Sequence, residues 1–283
     1  MRHTIENDRY LVSVDTKGAE LVQFFDKCDC VEYIWQGNPD IWKGHSPILF
    51  PIVGRLLNDS YYLANVAYTM PKHGFAKTSD FSVIEHQKEA ISLLLQDSAK
   101  TLECYPFHFR LVVTFALFGN RLEITHTVCN DSKEQMFFSI GAHPGLCCEM
   151  LDYLIFEKEE TSHAYQLGGS ALLMDEKRSI PFEGNRLAIT PHMFDHDALI
   201  FDDLCSRSVV LKSDRHPRQV KVDYFNAPCL GIWAKPGAPY VCIEPWYGID
   251  DSTHVTGELS QKPQIRSLAS GEMFLFPVHI TVT

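Results

Sequence analysis

Hydrophobic and polar residues alternate in short runs along most of this 283-residue chain. The alternation is clear in RYLVSVD at 9–15, in AELVQFFD at 19–26 and in ISLLLQD at 91–97. A period of two residues is typical of a β-strand with one buried face, whereas the wider spacing of an amphipathic helix is nearly absent. The pattern therefore predicts many short strands separated by turns.

The clearest local unit is FRLVVTFALFGNRLEITHTVCN at 109–130. Gly119 and Asn120 tolerate the positive φ angles of a two-residue turn, so the flanking runs are predicted to pair as an antiparallel hairpin. Because side chains alternate between the two faces of a strand, one face of the second run carries Leu122, Ile124, His126 and Val128. His126 shares this apolar face and is therefore predicted to be a core histidine.

The C-terminal segment EMFLFPVHITVT at 272–283 alternates again, with one face formed by Phe274, Phe276, Val278 and Ile280. It is predicted to be a strand that pairs back into the body of the protein. The one helical turn is predicted in PHMFDHDALIF at 191–201, where Pro191 suits the first turn of a helix. On that helix three side chains would face the core: Phe194, Ala198 and Phe201.

Many short strands, with too little helix for the crossovers of a parallel sheet, indicate an all-β fold built as a large antiparallel β-sandwich. No linker, repeat or low-complexity tract interrupts the sequence. All-β domains of this length commonly fold as one unit, so residues 1–283 are predicted to form a single domain.

Composition excludes several classes of partner. The chain carries a formal net charge of −11 and has no run of Lys and Arg, which argues against nucleic acid, because phosphate contacts need clustered positive charge. The longest apolar runs, such as LVVTFALF at 111–118, are too short to cross a bilayer, so no membrane partner is predicted. These features and the polar N-terminal segment lead us to expect a cytoplasmic protein.

No metal site is predicted. The nine cysteines have no CxxC spacing and are interpreted as reduced core thiols. His192 and His196 in HMFDH have the spacing of one helical turn, but no metal-binding motif accompanies them.

Two histidines lie at constrained strand ends. His143 in FSIGAHPGL is followed by Pro144 and Gly145, and His73 in MPKHGFAKTSDF lies between Pro71 and Gly74. Such backbones fix the direction of a side chain, which suits a group that transfers protons. The alternative is that each histidine only satisfies a polar contact in a tight turn.

A carboxylate with the character of a general base follows later in the chain. In VCIEPW, Glu244 leaves an apolar strand and is followed closely by Trp246, so burial is expected to raise its pKa and suit it to proton transfer. It is alternatively a buried glutamate in a salt bridge. With the two histidines, Glu244 would supply an acid and a base to a small polyhydroxy molecule.

Two further positions suit hydroxyl recognition. In FPIVGRLLND, Gly54 permits a close backbone approach and Arg55 offers a planar set of donors for vicinal hydroxyls. In DALIF at 197–201, Asp197 begins an apolar run.

These stretches, taken in order, resemble the motifs of the aldose 1-epimerases, or galactose mutarotases. The matching segments are GR followed by Asn58, then KHG, GAHPG, DALIF and IEPW, and the resemblance extends over nearly the whole chain. It is closest to the branch encoded in bacterial lactose operons. The resemblance implies the β-supersandwich of galactose mutarotases, with no cofactor.

By the same resemblance, Glu244 corresponds to the general base, His143 to the general acid and His73 to a second histidine near the ring oxygen. The sugar contacts implied are Arg55, Asn58 and Asp197, and an alignment slip would replace Asp197 by Asp195, Asp202 or Asp203. The candidates for an apolar platform beneath the sugar, or alternatively plain core aromatics, are Phe75, Trp233 and Trp246.

The sequence differs from the family pattern beside His143, where it has Ala142 and Pro144. The function predicted is 1-epimerisation of a free hexose such as galactose or glucose, so the expected partner is a monosaccharide. The first alternative is a hexose 6-phosphate, whose phosphate would contact Lys72, Lys77 or Lys235. The others are a non-catalytic carbohydrate-binding protein and the β-sandwich domain of a polysaccharide-cleaving enzyme.

Overall fold

The computed structural model describes residues 1–283 and confirms an all-β fold of 25 strands, in which every strand pair within the sheets is antiparallel. The largest sheet has nine strands, in the spatial order β18 (Arg186–Ala188), β15 (Tyr153–Phe156), β20 (Ser208–Lys212), β21 (Gln219–Asp223), β25 (Met273–Val282), β11 (Arg121–Asn130), β10 (Phe109–Phe118), β9 (Ala90–Gln96) and β8 (Ser82–His86).

A second sheet has eight strands. Its order is β17 (Leu173–Ser179), β16 (His163–Leu167), β19 (Leu199–Phe201), β22 (Cys229–Trp233), β23 (Tyr240–Tyr247), β13 (Ile140–Ala142) and β5 (Ile48–Leu49), with β14 (Gly145–Cys147) also paired to β23.

Three smaller sheets complete the strands. The first contains β1 (Arg2–Glu6), β2 (Tyr10–Asp15), β3 (Glu20–Asp26) and β4 (Val31–Glu32); the others are β6 (Ser60–Leu63) with β7 (Val66–Thr69), and β12 (Met136–Phe138) with β24 (Arg266–Leu268). Helix is limited to α1 (Ala99–Leu102) and to 3-10 turns at Leu57–Asp59, Ala76–Thr78 and Leu259–Gln261. No helix is long and apolar enough to span a bilayer.

The predicted hairpin is confirmed. Strands β10 and β11 pair from Phe109 opposite Asn130 to Phe118 opposite Arg121, which leaves Gly119 and Asn120 in the turn. Gly119 has a φ of 60°, as a two-residue turn of this kind requires. Strand β25 pairs with β11 on one side and with β21 on the other, so the C-terminal strand lies inside the nine-stranded sheet, as predicted.

His126 is a core histidine, as the strand period predicts. Its side chain is buried, its Nδ1 lies 3.0 Å from the carbonyl oxygen of Phe276, and its ring stacks on the ring of Phe276. Burial lowers the pKa of His126 to about 4. The histidine is therefore neutral in the folded protein at every pH well above 4.

This buried histidine predicts a loss of stability in acid. Between about pH 6.5 and pH 4 the unfolded chain binds a proton at His126 that the folded chain does not bind, so the free energy of unfolding falls as the pH falls. The contribution over that interval is about 3 kcal/mol. Urea unfolding at several pH values should show a shallower acid slope for His126→Gln, and the exposed His196→Gln should follow the wild type. Parallel curves for wild type and His126→Gln would contradict this assignment.

The predicted helix over 191–201 is wrong. Residues 191–197 form successive turns whose backbone bonds join Met193 to Thr190, Asp195 to His192 and Asp197 to Phe194. Each bond spans three residues, so the turns do not extend into an α-helix, and Asp197 takes a φ of 69° that ends them. The residues predicted to face the core are nevertheless buried, and the segment continues into strand β19.

The cysteine prediction also needs one correction. All nine cysteines are free thiols, but Cys28, Cys30 and Cys205 are exposed rather than part of the core.

The two large sheets enclose the main core, and strand β23 separates that core from a cleft. All eight residues of β23 are buried. Ile243 and Tyr247 belong to the main core, and the ring of Tyr247 contacts that of Phe276 on β25. Because side chains alternate, Glu244 and Trp246 lie on the opposite face of the sheet. This opposite face forms the floor of the cleft.

Candidate active site

A cleft of about 710 Å³ opens over the face of the eight-stranded sheet. It brings together six of the predicted site residues, which come from segments far apart in the sequence: His73, His143, Asp197, Trp233, Glu244 and Trp246. Its volume falls in the range of about 300–1,000 Å³ found for small-molecule sites.

Strand register places His143 opposite Glu244. Gly141 pairs with Trp246, and Gly145 pairs with Cys242, so the residue midway between the two pairs is His143 on one strand and Glu244 on the other. Directly opposite residues of an antiparallel pair project from the same face of the sheet. The shared register therefore places the imidazole beside the carboxyl group.

The two side chains meet at the floor of the cleft. His143 Nε2 lies 3.1 Å from Glu244 Oε2. Glu244 is 1 % exposed and His143 is 9 % exposed. This close contact lacks hydrogen-bond geometry, so Glu244 Oε2 and His143 Nδ1 both remain without a hydrogen bond within the protein, in a lining that a small polar molecule can reach.

Burial shifts both groups toward their neutral forms. It raises the pKa of Glu244 well above the usual carboxyl range, and the nearby Asp197 and Asp250 raise it further, while the charge of Lys72 opposes them. Burial lowers the pKa of His143 to about 3. Burial therefore favours the protonated carboxyl group of Glu244 and the neutral imidazole of His143.

Trp42 supports the imidazole and was missed by sequence reasoning. Its ring stacks on His143 with a centroid distance of 5.2 Å and also contacts Trp233 at 5.5 Å. An indole face stabilises a cation, so this contact favours the protonated imidazole and opposes the effect of burial. The surrounding segment NPDIWKGHSP shows no strand pattern that would assign Trp42 to a site.

His73 lies beside the pair as a neutral hydrogen-bond donor. Its ring centroid is 6.1 Å from that of His143. The backbone N–H of Gly54 donates to His73 Nδ1 at 3.0 Å, so the proton of the neutral ring is on Nε2. Burial lowers the pKa of His73 well below its usual value, and Lys72 and His143 add to the effect. The histidine is thereby suited to donate to an oxygen in the cleft.

Asp250 is a second lining residue that the sequence did not identify. It is buried and accepts a hydrogen bond of 2.6 Å from the backbone N–H of Arg55. Burial raises its pKa. Gly54 makes this approach possible, because a Cβ on Gly54 would lie only 2.6 Å from the Cα of Asp250. The close backbone approach predicted at Gly54 is thus an approach to Asp250.

Trp246 lies flat between two glycines of the neighbouring strands. A Cβ on Gly141 would lie 2.6 Å from the indole Cδ1, and a Cβ on Gly231 would lie 2.7 Å from Cζ2. Both glycines therefore provide space for the ring. The indole is buried and its N–H has no partner in the protein. Gly141 in FSIGAHPGL thus provides space for Trp246 next to Glu244.

Three of the predicted sugar contacts lie outside the lining: Arg55, Asn58 and Phe75. The guanidinium of Arg55 forms two hydrogen bonds of 2.9 Å with the carboxylate of Asp59, four residues further along the chain. Asn58 lies in the 3-10 turn between these two residues. Phe75 packs against Phe50, Tyr105 and Phe109 and has the plain core role considered as its alternative.

Asp197 and not its neighbours lines the cleft. Its Oδ1 accepts a hydrogen bond from the backbone N–H of Ala198, and it lies two residues before β19 with a φ of 69°. Asp202 pairs with Lys177, and Asp203 accepts from Ser162, so both carboxylates are engaged elsewhere.

One group of metal-type donors includes the pair of His143 and Glu244. The side chains of His143, Cys242 and Glu244 offer atoms within 4.8 Å of one another. Burial raises the pKa of the Cys242 thiol well above its usual value, so the thiolate that a metal requires is disfavoured. The arrangement is better suited to proton transfer between His143 and Glu244. At the other position considered, His192 Nδ1 lies 2.9 Å from Asp195 Oδ2 at the surface.

Two sequence comparisons relate this chain to known proteins. The family model for aldose 1-epimerase matches residues 1–272. Protein LacX of Lactococcus lactis subsp. lactis is 31 % identical over 277 residues, with 92 % of each chain covered.

Solved structures share the fold over the whole chain. A galactose mutarotase related enzyme from Lactobacillus acidophilus is 36 % identical with a TM-score of 0.95, covering 100 % of this chain and 97 % of that one. A galactose mutarotase-like protein from Lactobacillus casei is 28 % identical with a TM-score of 0.95 and full coverage of both chains. From its sequence, its fold and the match over residues 1–272, the chain belongs to the aldose 1-epimerase family.

Proposed function

We propose that this protein is an aldose 1-epimerase that interconverts the α and β anomers of a hexose. The observation that carries the proposal is the contact of His143 and Glu244, 3.1 Å apart on the floor of a cleft large enough for a sugar. In a cyclic aldose the ring oxygen and the anomeric hydroxyl are both bonded to C1. An acid and a base that serve these two oxygens must therefore lie close together, as this pair does.

The reaction needs one proton removed and one proton added. Removal of the anomeric hydroxyl proton and protonation of the ring oxygen break the bond between C1 and the ring oxygen, which leaves an open-chain aldehyde. Rotation about the bond between C1 and C2 exposes the other face of the carbonyl. Reclosure with the two transfers reversed gives the opposite anomer, and the protein is returned to its starting protonation state.

The paired residues supply this chemistry with a single shared proton. In the assignment that the family implies, Glu244 accepts the hydroxyl proton and His143 donates to the ring oxygen. That state is reached when the proton passes from Glu244 to His143, and the indole of Trp42 and the carboxylate formed on Glu244 both favour the imidazolium. The total number of protons on the pair does not change.

Trp246 and Trp233 provide apolar surface on which the less polar face of a sugar can lie. His73 Nε2 and the carboxyl groups of Asp197 and Asp250 offer polar contacts around it. A sugar held in this way would have its C1 atom over the reacting pair.

The shared proton predicts a pH plateau that extends into acid. The pair holds one proton from the lowered pKa of His143, about 3, up to the raised pKa of Glu244, so the rate of anomer exchange should stay constant within about twofold as the pH falls from about 5 to about 3.5. With unshifted pKa values, Glu244 would instead lose its basic form below about pH 4.5. Exchange measured by NMR at C1 across this interval distinguishes the two cases, and a fall of about fivefold or more by pH 3.5 would contradict the shared-proton state.

The experiment that tests the proposed activity is saturation transfer between the α and β anomeric protons of a hexose in the presence of the protein. The expected result is exchange above the spontaneous rate, in proportion to protein concentration. Binding of the sugar without such acceleration would support a carbohydrate-binding protein instead.

A further inference from the structure

The cleft contains a second group of side chains whose chemistry differs from that of the reacting pair. Four lysines line it, and we call them the lysine cluster: Lys17, Lys43, Lys72 and Lys77. They come from three separate loops, after β2, before β5 and between β7 and β8. The sequence suggested three lysines as contacts of a phosphate. Lys72 and Lys77 belong to the cluster, whereas Lys235 lies outside the lining.

The loops that carry the cluster are packed against one another. The backbone N–H of Gly18 donates to the carbonyl oxygen of Ser79 at 2.7 Å, and the ammonium of Lys77 donates to the carbonyl oxygen of Lys72 at 2.9 Å. Lys17, Lys72 and Lys77 therefore lie on one connected rim. Lys43 also lies in the lining and follows Trp42, whose ring stacks on His143.

None of the four ammonium groups has a carboxylate partner within 4.0 Å. The lysine ion pairs of this chain involve other residues: Lys27, Lys88, Lys177, Lys221 and Lys262. Lys77 is half-buried, and its pKa is lowered by burial and then by the charge of Lys72. Two like charges held together without a counter-ion are unfavourable, and a bound anion would relieve the repulsion.

Carboxyl groups also line the cleft, but none of them lies within 4.0 Å of an ammonium group of the lysine cluster, although the charge of Lys72 acts on Glu244 and Asp250. Glu20 Oε1 accepts from the N–H groups of His45 and Ser46, and Asp250 accepts from the N–H of Arg55. The four lysines thus form no ion pair, although the lining also holds Glu20, Asp197, Glu244 and Asp250. Burial raises the pKa of Glu244 and of Asp250 and so favours their neutral forms, which leaves less negative charge to balance the lysines.

The cluster and the reacting pair occupy different depths. His143 and Glu244 are buried on the floor, whereas Lys17 and Lys43 are exposed at the mouth. A hexose with C1 over the floor would direct a substituent on a distant carbon toward the mouth. A phosphoryl group is the common sugar substituent that carries two negative charges and several acceptor oxygens, which several lysines together can bind.

We propose that the lysine cluster is a subsite for the phosphoryl group of a hexose phosphate, so that the substrate is a phosphorylated hexose rather than a free one. The inference rests on the proposed function, since it concerns the substrate of the same cleft. This substrate is the hexose 6-phosphate that the sequence analysis gave as the first alternative to a free hexose. The phosphoryl group remains unchanged in the reaction, because only the two transfers at C1 take place.

The test compares galactose and glucose with their 6-phosphates as substrates for C1 exchange. The expected kcat/KM is at least tenfold higher for the 6-phosphates at low ionic strength, and added salt should reduce the difference. Lys77→Gln and Lys43→Gln should each lower the ratio of 6-phosphate to free-sugar kcat/KM by roughly tenfold. Lys43 is exposed, so its variant tests the subsite even where the half-buried Lys77 variant folds poorly.

Lys235→Gln is the matched control, because Lys235 is exposed and lies outside the lining. In Lys235→Gln, the ratio of 6-phosphate to free-sugar kcat/KM should equal that of the wild type. Acceleration of free hexoses with equal or greater efficiency would overturn the subsite and leave the epimerase activity in place. Absence of acceleration with all four sugars would overturn the proposed function itself.

Discussion

Replacing Glu244 by Gln should lower the rate of anomer exchange by roughly 10²–10⁴-fold, because the amide neither accepts nor releases the proton that the reaction requires. The fold should be retained. Gln has the shape of the protonated glutamate, and burial raises the pKa of Glu244 and so favours that neutral form. The unfolding temperature of Glu244→Gln should therefore equal or exceed that of the wild type.

Glu176→Gln is the matched control, since Glu176 is exposed on β17 and has no ion pair. Saturation transfer at C1 and thermal unfolding on the same samples separate lost chemistry from lost structure. Exchange at the wild-type rate in Glu244→Gln would remove this carboxyl group from the mechanism. The double variant with His143→Gln should be about as slow as Glu244→Gln alone, because the two residues act as a unit.

Replacing Gly54 by Ala should destabilise the protein by about 2–4 kcal/mol and greatly reduce exchange. The added Cβ would lie 2.6 Å from the Cα of Asp250, a backbone atom that cannot move independently, and the φ of 75° is itself unfavourable for Ala. Gly54 also donates to His73 Nδ1 and, through its carbonyl oxygen, accepts from the N–H of His73. The substitution should therefore displace two groups of the cleft together.

Gly119→Ala separates the two causes. Gly119 has a similar φ of 60°, but nothing lies within 4 Å of the position that its Cβ would take. The free energy of unfolding of Gly119→Ala should be about 1 kcal/mol lower than that of the wild type, which is the cost of the backbone conformation alone. Urea unfolding of both variants measures the difference, and equal losses would show that the approach of Asp250 to Gly54 has no energetic importance.

The sequence predicted those features that short-range patterns determine. The β10–β11 hairpin follows from strict alternation around Gly119 and Asn120, and the burial of His126 follows from its face of β11. The motifs around His143 and Glu244 indicated constrained, partly apolar settings. Their shared cleft was expected from the family resemblance and is present in the structure.

Features that depend on long-range packing were not predictable. Trp42 reaches His143 from a loop about a hundred residues away, and Asp250 reaches Gly54 across almost two hundred. Neither contact has a local signal, because strand pairing and loop packing decide both. The pairing of Arg55 with Asp59 is different, since an arginine and an aspartate four residues apart are visible in the sequence.

The sequence also left the balance of charge in the cleft undetermined. Counting lysines along the chain does not show which of them lack a partner, and Lys17 and Lys43 have no motif that connects them to His73. Only the packing of three loops brings the lysine cluster together. The proposal that the substrate is a phosphorylated rather than a free hexose therefore rests on the structure.

Saturation transfer between the α and β C1 protons, with hexoses and hexose 6-phosphates in turn, tests most directly whether His143 and Glu244 act on C1. With wild-type protein, irradiation of one anomer should deplete the signal of the other in proportion to protein concentration, and Glu244→Gln should abolish the transfer. Transfer no faster than in buffer for every sugar, from a protein that is folded and binds them, would contradict the account.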